Sequence, residues 1–109
     1  GAQLGRKMGF PTANIDAHGI EQIENGVYYS QVCLDGHLYN AMSNIGTRPS
    51  VDGRSRLLET HIFGFEGDLY GKTLEVDLKQ KIRDERRFTS LDELQQQLEK
   101  DAALCNPAI

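Results

Sequence analysis

The sequence predicts a mostly β domain, a small antiparallel barrel with one C-terminal helix. Three observations carry this. Short runs rich in β-forming residues alternate apolar and polar side chains, turns containing glycine separate them, and helical periodicity appears only near the C-terminus. At 109 residues the chain has the size of one domain with a core of its own, with the barrel expected over 1–88 and the helix over 89–105.

The opening stretch sets the chemistry. Gly1, Gly5 and Gly9 surround the cations Arg6 and Lys7 ahead of Pro11. Glycine lets backbone N–H groups approach an anion closely, so this is a candidate phosphate loop. Pro11 fixes its own φ and pushes Phe10 toward extended backbone, so a strand is expected from Thr12 to Ala17 with Thr12 and Asn14 on one face. A hydroxyl and an amide carbonyl are hard, neutral oxygens that Mg²⁺ accepts beside water and substrate phosphate. Gly9 precedes Phe10 rather than Lys and Ser or Thr, which excludes a Walker A loop. The alternative is a glycine-rich connection in which Thr12 and Asn14 bond backbone at a strand start.

His18-Gly19 breaks the first strand, and residues 19–26 read as a loop. Val27 to Leu34 is the next strand, followed by Asp35-Gly36, a pair favoured in two-residue hairpin turns. The return strand is expected over His37 to Asn44, with Val32 and Leu34 near Leu38 and Met42, ending in a turn through Asn44-Ile45-Gly46-Thr47-Arg48-Pro49. Asp52-Gly53 marks a third reversal. In the strand Leu57 to Phe63, alternation puts Leu57, Glu59, His61 and Phe63 on one face and Leu58, Thr60 and Ile62 on the other. Thr73 to Lys79 alternates again, with Leu74, Val76 and Leu78 inward. The charge run from Lys81 to Phe88 reads as a solvated connection. Ser90 and Glu93 form a capping box, Asp92 and Glu93 suit the helix dipole, and Leu91, Leu94, Leu98 and Ala102 form an apolar stripe ended by Asn106-Pro107.

Composition narrows the partners. The formal net charge of −4 supplies no positive field to gather nucleic acid, so none is expected. There is no apolar run of membrane-span length and no signal-like N-terminus, so a cytoplasmic protein without a membrane partner is expected. Cys33 and Cys105 lack metal-ligand spacing, which points to a reducing compartment and no zinc site. Glu59 is the candidate acid or base: among apolar neighbours a carboxylate is either in a ligand cleft or paired with a cation. His61 reads as a structural histidine or an extension of the same proton network.

The run from Gly5 to Asn14 resembles the GRxLGFPTAN signature of riboflavin kinases. The likeness continues through Gly26-Val27-Tyr28, Asn44 to Pro49, Leu58 to Phe63, Gly67 to Gly71, Ile82-Arg83-Asp84-Glu85 and Phe88 to Leu94. It implies a riboflavin kinase domain with a six-stranded Greek-key barrel plus helix. The implied reaction is transfer of the γ-phosphate of ATP to the ribityl 5′-hydroxyl of riboflavin, giving FMN and ADP. By the same likeness Thr12 and Asn14 hold Mg²⁺ and the nucleotide phosphates, and Glu59 is the general base. Gly5, Arg6 and Gly9 cover the phosphates, Ile62 and Tyr70 lie near the nucleotide, and Arg83, Arg86 and Phe88 lie over the flavin. In the family this module is often the C-terminal half of a bifunctional riboflavin kinase/FAD synthetase, so a fused FMN adenylyltransferase domain is expected. Family members begin with a strand before the glycine loop, whereas this sequence starts inside it. The expectation is a piece of a longer protein lacking the first barrel strand, either an active kinase or a catalytically impaired flavin- and nucleotide-binding module. A barrel binding single-stranded nucleic acid is the rival, against which the acidic charge counts.

Overall fold

The computed structural model describes residues 9, 10, 12–15, 19–69, 72 and 74–107. They form strands β1 (Ala13–Ile15), β2 (Gly26–Leu34), β3 (His37–Ser50), β4 (Gly53–Ile62) and β5 (Glu75–Arg83), followed by helix α1 (Leu91–Cys105). Every pairing is antiparallel, in the order β1-β4-β3-β2-β5. The mostly β class with a C-terminal helix is as expected. The expectation is a six-stranded barrel with its first strand missing from this chain; the described residues give five strands, with β1 and β5 at the two ends of the order, and show neither a sixth strand nor barrel closure.

The β2–β3 turn fixes the register. Asp35 and Gly36 have φ of 51° and 79°, the left-handed pair that a tight hairpin needs. Leu34 therefore stands opposite His37 and Val32 opposite Tyr39, so the odd-numbered residues of β3 share the face of Val32 and Leu34. Val32 and Leu34 pack with Ala41 and Ile62. The expected contact with Leu38 is corrected by this register: Leu38 is 67% exposed, and Met42 belongs to the opposite face.

On the core face, Tyr28, Ile45 and Leu58 form a second cluster, and the hydroxyls of Ser30, Ser43 and Thr60 are buried between the two. Ser43 Oγ lies 2.8 Å from both Ser30 Oγ and Thr60 Oγ1. A buried hydroxyl without a partner is costly, and this chain of three across β2, β3 and β4 satisfies each one.

Three strands run further than expected, β4 among them, since it starts at Gly53 rather than Leu57. β3 continues through Ser50 instead of turning at Asn44, because Ile45 is needed in the core and Gly46 to Pro49 pair with Leu57 to Arg54. β5 continues into the charge run as far as Arg83, with register shifts opposite β2. Its charges are matched: Lys81 Nζ bonds Glu24 at 2.7 Å and Asp84 at 2.6 Å, and Arg83 pairs with Asp101.

Ser90 caps α1 by accepting the Glu93 N–H at 3.1 Å, and Asn106 N–H closes the far end on Ala102 O at 2.8 Å. Leu98 and Cys105 pack on Val27 and Met42, on the sheet face opposite the hydroxyl chain. Leu91, expected in the stripe, is 61% exposed; Asp101 and Cys105 are the residues α1 buries. Among the described residues, no helix is long and apolar enough to cross a membrane.

Candidate active site

One line of register partners crosses the entire sheet. Asn14 on β1 is opposite Glu59 on β4, Glu59 is opposite Asn44 on β3, Asn44 is opposite Val27 on β2, and Val27 is opposite Arg83 on β5. Of these, Glu59, Asn44, Val27 and Arg83, being directly opposed in an antiparallel sheet, project to the same side. A cavity of about 260 Å³ lies on this side, lined by Thr12, Asn44, Glu59, His61 and Arg83 from the sheet end, by Arg86 and Phe88 from the segment after β5, and by Leu94, Leu98 and Asp101 from α1.

Glu59 is 7% exposed. Thr12 Oγ1 donates to its Oε2 at 3.5 Å, and Arg48 Nη2 stands 3.5 Å from its Oε1. The same Arg48 nitrogen lies 3.2 Å from Glu85 Oε2, which also accepts from Asn44 Nδ2 at 2.8 Å. Burying a carboxylate this deeply is costly without such partners. His61, two residues along β4 from Glu59, is edge-on to both Phe10 and Phe63, at 5.5 and 4.8 Å between ring centres.

The helix end of the cavity is organised by Asp101. Arg83 grips it through Nε, 3.0 Å from each carboxylate oxygen, and through Nη2 at 2.7 Å. Gln97 donates to Asp101 at 2.9 Å and accepts from Arg86 at 2.9 Å, while Arg86 also reaches Glu93 at 3.0 Å. The Phe88 ring has the Arg86 guanidinium at 4.7 Å and that of Arg83 at 5.9 Å from its centre. Val27, Met42, Leu94 and Leu98 complete an apolar wall that suits a flat aromatic ligand. Burial, reinforced by the Asp101 charge, pushes the Cys105 thiol up to about 12, so it is no nucleophile.

The cavity brings together Thr12, Glu59, Arg83, Arg86 and Phe88 from the expected site. Asn14 is placed by the register beside Glu59. Gly9 sits in an exposed turn with φ of 84°. Ile62 is not brought to the cavity: it is buried in the core cluster on the opposite face. Gly5, Arg6 and Tyr70 lie outside the described residues. Asn44, Arg48, Glu85 and Asp101 line the cavity without having been singled out for it, although the i, i+2, i+4 spacing of Asn44, Gly46 and Arg48 is visible once β3 is read as unbroken.

Fold and cavity together define a small antiparallel β domain whose ligand pocket is floored by a carboxylate and walled by aromatic and cationic groups. The chain belongs to the riboflavin kinase family, whose sequence model, described as Flavokinase, matches residues 1–108. It is 45% identical over 102 residues to the bifunctional riboflavin kinase/FMN adenylyltransferase of Haemophilus influenzae, covering 93% of this chain and 33% of that protein. It is 44% identical over 102 residues to the RNA-binding riboflavin kinase RibR of Bacillus subtilis, covering 93% of this chain and 44% of the relative. A crystal structure described as a macrolide-efflux protein from Streptococcus pneumoniae superposes with a TM-score of 0.82 at 32% identity, over all of this chain and 36% of the other. The chain thus spans less than half the length of each of these relatives.

Proposed function

We propose that this chain phosphorylates riboflavin, transferring the γ-phosphate of ATP to the ribityl 5′-hydroxyl to give FMN and ADP. The observation that carries the reading is the placement of buried Glu59 beside the Thr12 hydroxyl in the same cavity as Phe88 and its two arginines. Phosphoryl transfer needs alignment and charge neutralisation more than covalent chemistry, with a carboxylate to orient the attacking hydroxyl. Glu59 accepts the hydroxyl proton as the new O–P bond forms and the bond to the ADP oxygen breaks.

Thr12 and Asn14 would hold Mg²⁺. The Thr12 oxygen beside a carboxylate is the hard donor set such an ion takes when phosphate and water fill its remaining positions. When bound, the ion neutralises phosphate charge. Gly5, Arg6 and Gly9 would cover the phosphates, and Tyr70 would lie by the nucleotide. Ile62, buried on the opposite face, acts by packing β4 and so holding Glu59 in register. Arg83, Arg86 and Phe88 face the flavin, with the isoalloxazine against Phe88 and the apolar wall.

Residues 1–109 are read as one kinase domain, carried in a longer protein beside an FMN adenylyltransferase domain. The bifunctional relative from Haemophilus influenzae, of which the match covers 33%, supports that arrangement. The acidic net charge counts against a nucleic-acid partner, and the reading is of small-molecule substrates in the cytoplasm without a membrane partner. The test is chromatographic detection of FMN formed from riboflavin and ATP with Mg²⁺ and with the ion chelated. Magnesium-dependent FMN is expected; a chain that binds both substrates and makes none would leave only the binding module.

A further inference from the structure

Gly46 is a glycine for space, not for torsion. It is buried in β3 and is not among the positive-φ glycines. A Cβ built on it would collide with Glu85 Oε2 and Arg48 Nη1 and lie 2.7 Å from Glu85 Oε1. Asn44, Gly46 and Arg48 are alternate residues of one strand and share one face. Above that face the Glu85 carboxylate accepts from Asn44 at 2.8 Å and from Arg48 at 3.2 Å.

Glu85 comes just after β5 ends at Arg83, where ladder pairing stops. Arg86 and Phe88 follow it at once and line the cavity. A segment without ladder bonds is placed by its side-chain anchors. Glu85 is the anchor onto the sheet, and its seat shares the Arg48 guanidinium with Glu59.

We propose that Asn44, Gly46 and Arg48 form a seat for the Glu85 carboxylate, and that this seat positions Arg86 and Phe88 over the cavity. That the ligand so positioned is riboflavin rests on the function proposed above. These are positioning residues: they act through the segment they hold. Glu85→Gln keeps the shape and removes the charge. In Gly46→Ala the atoms nearest the new Cβ are the flexible ends of Glu85 and Arg48, and the backbone conformation stays allowed.

The test is limited trypsin digestion of the full chain, scoring cleavage after Arg86 and Arg87 against cleavage after exposed Arg54 in the β3–β4 hairpin. Loss of charge-assisted bonds to the anchor is expected to speed cleavage at the first two sites about tenfold in either variant, with Arg54 and the melting temperature little changed. The double variant should match the single ones, because both remove the same contact. Riboflavin, followed by fluorescence quenching, should bind several-fold more weakly, and KM for riboflavin should rise while KM for ATP holds. Unchanged cleavage after Arg86 and Arg87, or additive effects in the double variant, would overturn the seat. Faster cleavage in a chain whose parent binds no riboflavin would keep the seat and overturn the kinase reading.

Discussion

Arg83 and Asp101 join the last strand to the helix by a guanidinium fork, with Nε 3.0 Å from each carboxylate oxygen and Nη2 at 2.7 Å. Asp101 is fully buried, and removing one partner of such a pair leaves an uncompensated charge. Asp101→Ala is expected to cost about 3 kcal/mol in urea unfolding and to loosen Arg86 through Gln97, because breaking a buried pair is far more damaging than losing a surface one. A loss no larger than that of a surface substitution would show that the fork does not hold α1.

The hydroxyl chain gives a second stability prediction. Ser43→Ala removes the middle member and leaves Ser30 and Thr60 each short of a partner, at an expected cost of about 1–3 kcal/mol. Replacing all three with apolar residues of similar shape, Ser30→Ala, Ser43→Ala and Thr60→Val, should cost less than the sum of the single changes. Denaturant titration of the single and triple variants reads this directly.

How much of this was legible in the sequence depended on whether the determinants were local. Asp35-Gly36 states its own turn, because few residue pairs accept positive φ twice, and Ser90 states the helix start. Alternation along β4 placed Glu59 and His61 on the cavity side and Leu58, Thr60 and Ile62 in the core. β3 beyond Asn44 was illegible for the opposite reason. Gly46, Thr47 and Pro49 look like a turn one residue at a time, and only their partners on β4 make them a strand. That misreading hid Asn44 and Arg48 as cavity residues. Arg83 and Lys81 looked solvated because their counter-charges, Asp101 and Glu24, are remote in the chain. Asp101 itself shows nothing in sequence beyond a polar helix residue.

Cys105 carries the pH prediction. Burial raises its thiol from 9.0 to about 12, while Cys33 is exposed. At pH 8 a thiol reagent is expected to label Cys33 on the native protein and to reach Cys105 only on unfolding. A thiol whose folded pKa is raised favours the folded state fully below its unfolded value, and that contribution is lost as pH rises toward the folded one. Stability should therefore fall as pH climbs from about 9 toward 12, and Cys105→Ala should flatten that part of the profile. Rapid labelling of both thiols in the native protein would contradict the burial of Cys105.

Glu59 is the centre of the functional account, and Glu59→Gln isolates its role because the amide keeps the shape and loses the base. Riboflavin binding and FMN formation from saturating ATP and riboflavin, measured on this variant beside the parent, test the claim most directly. The account predicts riboflavin affinity within a few-fold of the parent and a rate of FMN formation lower by about 100-fold or more, the scale of a lost general base. Turnover equal to the parent's would contradict it and assign the proton to another acceptor.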